Sequence, residues 1–227
     1  MSCVLTNGTG LQQRQIMPRK PFINSSEFPF HITARCINKE WFHLPMPAVW
    51  TVMENYLYFI HHEYKIILHA FVLMTNHFHL IATAPEANIS EAMNYFMRET
   101  SRNLTEASGR INQTYGSRFF RTLIESEHYY QHAYKYVYRN PVEAGLTNKV
   151  EDYPYSTLHG LMGRSHTLIP TTYDDTLFSD LEATLKWLNQ PPQRDDLSAV
   201  QSALRKRVFK LPRSTTYGQH PLSYEKY

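Results

Sequence analysis

The sequence predicts an α+β fold of the ferredoxin-like βαββαβ kind, with an antiparallel sheet, and three observations carry that prediction. Apolar and polar residues alternate over 28–37, as in a strand with one buried face. An amphipathic stripe over 49–60 follows it. Two strand-like runs, 65–74 and 77–83, then flank the short turn Thr75-Asn76, which reads as a hairpin. A second amphipathic helix from Ile89 and a fourth strand over 118–125 complete the order. In that arrangement strands one and three are central and both crossover helices cover one sheet face. The other face is left open.

The global numbers bound the chemistry. A chain of 227 residues can bury a substantial core, as one domain with extensions. Cys3 and Cys36 are too few for a disulfide framework and are not spaced as zinc ligands, which suits a reducing, cytoplasmic setting. No run is apolar enough to cross a membrane, and the first twenty residues lack a signal-peptide core. A net charge of +3 biases the surface mildly toward polyanions without identifying a nucleic-acid binder.

The first strand places Phe30, Ile32, Ala34 and Cys36 on the core face and His31, Thr33 and Arg35 on the open one. Arg35 can meet a phosphate there or be solvated. Pro45 and Pro47 precede the first helix, whose stripe of Val49, Val52, Met53, Tyr56, Leu57 and Ile60 is core. Asn88 and Glu91 read as a capping box for the second helix, and Gly109 as its stop. Arg98 and Arg102, one turn apart on its other face, read as solvated. Arg118 and Arg121 flank Phe119-Phe120 in the fourth strand. Basic residues beside aromatics suit phosphate contact with base stacking, and equally core phenylalanines with surface arginines.

The chemistry concentrates on Asn76-His77-Phe78-His79-Leu80. In a strand, i and i+2 share a face, so His77 and His79 project together and offer half of a metal site. Twelve histidines make a chance pair common, so this one needs a partner elsewhere. Ser126 caps a third helix, 127–139, which Asn140-Pro141 should end. Tyr136 and Asn140 are i and i+4, putting a phenol and a carboxamide on one face. If this helix packs on the open sheet face, a His-His-Asn-Tyr site closes. Tyr134 and Tyr138, two residues to either side of Tyr136, face elsewhere on the helix.

The flanks say less. Residues 1–20, with Arg14, Arg19 and Lys20, read as a flexible basic arm, and 161–227 as a helical, partly basic extension of a main domain spanning 21–160. In that extension Ser179-Asp180-Leu181-Glu182 reads as another capping box, and 190–194 as a linker. A last helix over 196–208 ends in Arg205, Lys206 and Arg207, which could hold a DNA backbone or be a solvated helix end.

Several segments together resemble the single-tyrosine HUH transposases of insertion sequences, and most of all their REP-associated branch. These are Arg19-Lys20-Pro21, Phe30 to Arg35, Met74 to Ile81 with its His-hydrophobe-His core, Tyr136 to Leu146 with its Asn-Pro-Val-x-Ala-Gly end, and Asp152 to Ser156. Two features depart from the family pattern: Thr75 stands where proline is usual, and the tryptophan often found before strand four is absent. The resemblance implies Mg²⁺ or Mn²⁺ held by His77, His79 and Asn140, although two imidazoles also suit Zn²⁺. It implies Tyr136 as the nucleophile, Tyr134 and Tyr138 as its rivals, and His77 and His79 as catalytic partners. It implies single-stranded DNA as the partner, folded as REP-like hairpins, cleaved and rejoined through a 5′-phosphotyrosine by a monomer or homodimer. Arg35, Arg118, Arg121, Arg205, Lys206 and Arg207 are the expected DNA contacts. Two alternatives remain: a domesticated hairpin-binding protein with little cleavage, and a metal hydrolase that would tolerate Tyr136→Phe.

Overall fold

The computed structural model describes residues 23–171 and 179–212, so the predicted basic arm lies outside the described residues. Four strands, β1 (Phe30–Arg35), β2 (Ile67–Leu73), β3 (His77–Thr83) and β4 (Phe120–Leu123), form one sheet in the order β2-β3-β1-β4. Every neighbouring pair is antiparallel, with β1 and β3 central as expected. Helices α1 (Met46–Tyr64) and α2 (Ile89–Ala107) pack on one face. Phe30, Ile32, Phe78 and Leu80 point into that layer beside Met53, Leu57 and Phe96, all fully buried. Burial of each such large side chain contributes about 1.5–3 kcal/mol.

The other face is covered as well. Helix α3 (Glu127–Glu143) lies over it, with the short α4 (Thr157–Leu161) and the C-terminal α5 (Leu181–Asn189) and α6 (Arg194–Ala203). Val72 and Ile81 of the sheet, Tyr134 and Val137 of α3, Leu188 of α5 and Val200 of α6 share this second core. The C-terminal segment therefore completes the layer that holds α3 down. Both sheet edges are also covered. Beyond β2, the Leu73 amide donates to the Tyr155 carbonyl (2.9 Å). Beyond β4, Leu123 and residues 207–209 exchange two backbone bonds of 2.8 Å.

Four local expectations need correction. Helix α3 does not stop at Asn140-Pro141 but runs a further turn, with Pro141 inside it and buried. Proline removes the donor to the Val137 carbonyl. Past it, the Ala144 and Leu146 amides bond the carbonyls of Asn140 and Pro141, and Gly145 (φ 69°) turns the chain out. Asn140 thus stays helical and in register with Tyr136. Asn88 precedes α2 without a side-chain cap bond: its Nδ2 donates to the Tyr64 carbonyl (3.0 Å), and its Oδ1, the atom that would accept in a cap, is buried without a partner. The α5 cap is Asp180, bonded to the Ala183 amide (3.0 Å), one residue later than predicted. The last helix ends at Ala203, which leaves Arg205 to Arg207 in the turn beyond it. The Arg98 and Arg102 guanidiniums both reach Glu99, in keeping with an exposed, ion-paired helix face.

Candidate active site

Strand register brings the site together. Arg35 is paired with His77 and Thr33 with His79 across β1 and β3, so these side chains share the face under α3. His31 is diagonal to His79, within reach of a long side chain. From above, α3 lowers Tyr136 and Asn140. The His79 and Tyr136 rings lie edge to face with centroids 5.6 Å apart, and His77 and His79 are separated by 4.9 Å. A cleft of about 550 Å³ opens between them, lined also by Arg35, Arg118, Phe120, Glu143 and Arg205.

Each imidazole is oriented by a partner. His77 Nδ1 meets Asn76 Oδ1 at 2.8 Å, an arrangement that puts the proton on Nδ1 and leaves Nε2 as a lone pair. His79 Nδ1 meets His31 Nε2 at 2.9 Å, the two rings stacked at 5.1 Å. His79 Nε2 is buried without a hydrogen-bond partner. Asn140 commits its Nδ2 to the Tyr136 carbonyl (2.8 Å), which leaves Oδ1 as the atom able to bind a cation. Burial lowers the pKa of His77 to about 4, helped by Arg35, and that of His31 to about 3, helped by His77. His79 falls well below the usual histidine range for the same reason. The imidazoles are therefore neutral at pH 7 and can ligate. Burial raises the Tyr136 phenol above its ordinary value, while Arg205, Asn140 and Arg35 pull it back.

Among the described residues no cluster of three or more His, Cys, Asp or Glu side chains is arranged to hold an ion. The donor set here is two imidazoles and a carboxamide. The orphaned His79 Nε2 and the neutral imidazoles fit a divalent ion, since an unpaired buried nitrogen is stabilised by ligation.

The remaining predicted residues divide. Arg35, Arg118 and Arg205 border the cleft. Lys206 and Arg207 are exposed beside it without lining it. Arg121 is a correction: it is 7 % exposed, on the opposite sheet face, bonded to Ser90 (2.8 Å) and Asn24 (3.1 Å) and stacked over Phe30. Burial lowers its pKa. Strand alternation explains the split, because Arg118, Phe120 and Thr122 share one face whereas Phe119, Arg121 and Leu123 share the other. Phe120 is accordingly the aromatic that borders the cleft. Tyr134 and Tyr138 are buried in the second core, so the rival nucleophiles face no solvent. His31 was not singled out in the sequence. Its place on the open face was legible there, but its contact with His79 was not.

A ferredoxin-like sheet presents two neutral imidazoles to a phenol and a carboxamide on an overlying helix, and arginines flank the group. The family model described as IS200-like transposase matches residues 25–140, just over half of the sequence, and the chain belongs to that family. It is 32 % identical over 112 residues to a REP-associated tyrosine transposase of Escherichia coli (strain K12). That stretch covers 49 % of this chain and 66 % of the relative, a little under two thirds of its length. Among solved structures it resembles a REP-associated tyrosine transposase bound to a REP hairpin, with a TM-score of 0.53 and 25 % identity, covering 71 % of this chain and 93 % of that one. The resemblance read from the motifs is thereby established.

Proposed function

We propose that the protein is a metal-dependent single-stranded DNA transposase that cleaves and rejoins DNA next to hairpins. The observation that carries this reading is the edge-to-face approach of Tyr136 to His79, 5.6 Å between ring centroids, at the mouth of an arginine-lined cleft. His77, His79 and Asn140 would hold Mg²⁺ or Mn²⁺. Such an ion supplies Lewis-acid polarisation of the scissile phosphate. Tyr136 Oη attacks the phosphorus, the bond from phosphorus to the 3′ oxygen breaks, and a 5′-phosphotyrosine and a 3′-hydroxyl result. The phenolic proton leaves Tyr136, and one proton is taken up by the departing 3′ oxygen. The reverse attack by a 3′-hydroxyl rejoins strands without external energy. Arg35, Arg118 and Arg205 neutralise the DNA backbone, and Arg35 and Arg205 also favour the phenolate. Tyr136 stands over the histidines of its own chain, so one chain supplies every group named here. A solved relative bound to a REP hairpin supports hairpin DNA as the partner.

The test is incubation of a labelled panel of single-stranded hairpin oligonucleotides with Mg²⁺ or Mn²⁺, wild type beside Tyr136→Phe. A covalent protein–DNA adduct with wild type alone is expected. Hairpin binding without an adduct would move the protein to a binding role, and cleavage by both chains would remove Tyr136 as nucleophile.

A further inference from the structure

A second cavity, of about 350 Å³, lies between α3 and the α5–α6 segment. Tyr136 lines both this cavity and the cleft, so the two chambers adjoin at that residue. Nothing in the chemistry above uses the second chamber, and most of its lining comes from residues beyond the stretch matched to the family. Trp187 contributes a half-buried indole, with the Lys135 ammonium 5.0 Å from its ring centroid. Gln190, Gln193 and Asp196 add carboxamides and a carboxylate. The ammonium lies over this aromatic wall, so a base stacking there displaces it toward the phosphate that the base carries. Carboxamides and carboxylates are the groups that read base edges.

The position of that wall is fixed relative to Tyr136. Arg139, buried, donates from Nη1 to the carbonyls of Leu188 (3.0 Å) and Asn189 (2.8 Å), at the end of α5. Its Nε and Nη2 hold Glu143 Oε1 at 3.0 and 2.6 Å. The clamp begins one residue after Trp187 and three residues after Tyr136. A cavity of this size takes one extruded nucleotide and excludes a duplex.

We propose that this cavity receives the unpaired base adjoining the scissile phosphate, with Trp187 as its stacking platform and Lys135 as a phosphate contact. It then acts as a specificity-determining subsite. The inference rests on the DNA-cleaving reading of the cleft. The experiment uses the full chain and the same hairpin panel, with single-stranded thymines beside the stem replaced one at a time by 5-iodouracil. The DNA is photocrosslinked and the site mapped by mass spectrometry. A crosslink to Trp187 from one flanking position is expected. Trp187→Ala should weaken binding by about tenfold, and an abasic site at that position should do the same to wild type, whose fold is untouched. Trp187→Phe should restore most of the affinity. Crosslinks confined to other segments, or Trp187→Ala binding within about twofold of wild type, overturn the subsite. A Trp187 crosslink without any Tyr136 adduct upholds the subsite and sinks the cleavage reading; an adduct without that crosslink does the reverse.

Discussion

Replacing His31 by leucine tests how the site is held. His31 Nε2 lies 2.9 Å from His79 Nδ1, both rings are buried, and Asn76 serves His77 in the same way. If His79 gives Nε2 to a cation, its proton is on Nδ1, and His31 must accept it. Leucine fills much of the space but accepts nothing. His79 is then free to turn, and its Nδ1 proton is buried without a partner. Loss of such an orienting partner lowers metal affinity by about 10–100-fold, equivalent to about 1.4–2.8 kcal/mol. The orphaned His79 donor would cost ~1–3 kcal/mol of folding stability, but leucine also removes His31 Nδ1, itself buried without a partner, so the net change in stability should be small. Calorimetric titration of Mn²⁺ into the DNA-free chain reads the first effect, and urea unfolding in chelator reads the second. His31→Gln, which keeps an acceptor, should retain most of the affinity. An unchanged Mn²⁺ dissociation constant for a well-folded His31→Leu chain would refute the reasoning, as would an equal loss in His31→Gln.

Other consequences follow from the same geometry. Arg139→Met removes four hydrogen bonds from a buried guanidinium and should cost on the order of 3 kcal/mol in urea unfolding, with the near-ultraviolet signal of Trp187 altered. Arg118→Ala should lower DNA affinity and reduce the salt dependence of log K by about one. Arg121→Met, by contrast, should lower stability by about 1–3 kcal/mol and leave that salt slope unchanged. His69, bonded to Thr83 at 2.8 Å, has its pKa lowered by burial from 6.5 to about 4. The unfolded chain therefore binds more protons between those values, so stability is full above pH 6.5 and declines as pH falls toward 4. His69→Gln should flatten that decline by about 2 kcal/mol between pH 7.5 and 5, read from urea midpoints in chelator.

Most of the fold was legible because it rests on periodicity. The alternation of Phe30, Ile32 and Ala34 against His31, Thr33 and Arg35 gave each strand its faces, and the stripe through Met53 and Leu57 gave α1 its core side. The same parity argument applied to 118–123 separates Arg118 from Arg121, so that misassignment was avoidable. What periodicity does not carry is register between distant strands. The diagonal pairing of His31 with His79 follows from a β1–β3 alignment set by the whole core, and a histidine on a polar face looks like any other until that alignment is known. The helical turn past Pro141 depended on buried packing that outweighs a local preference. The docking of α5 on α3 rests on a side chain grasping carbonyl oxygens, which every residue possesses and no sequence pattern marks.

The covered sheet edges bear on how this molecule can meet others. Tyr155 and residues 207–209 occupy backbone groups that a foreign strand would otherwise capture. These contacts oppose extension of the sheet from one copy into the next. Among the described residues, the helices and loops outside the sheet are the surfaces left open to other molecules. The same shielding protects the protein from adventitious strand pairing when many copies are made at once.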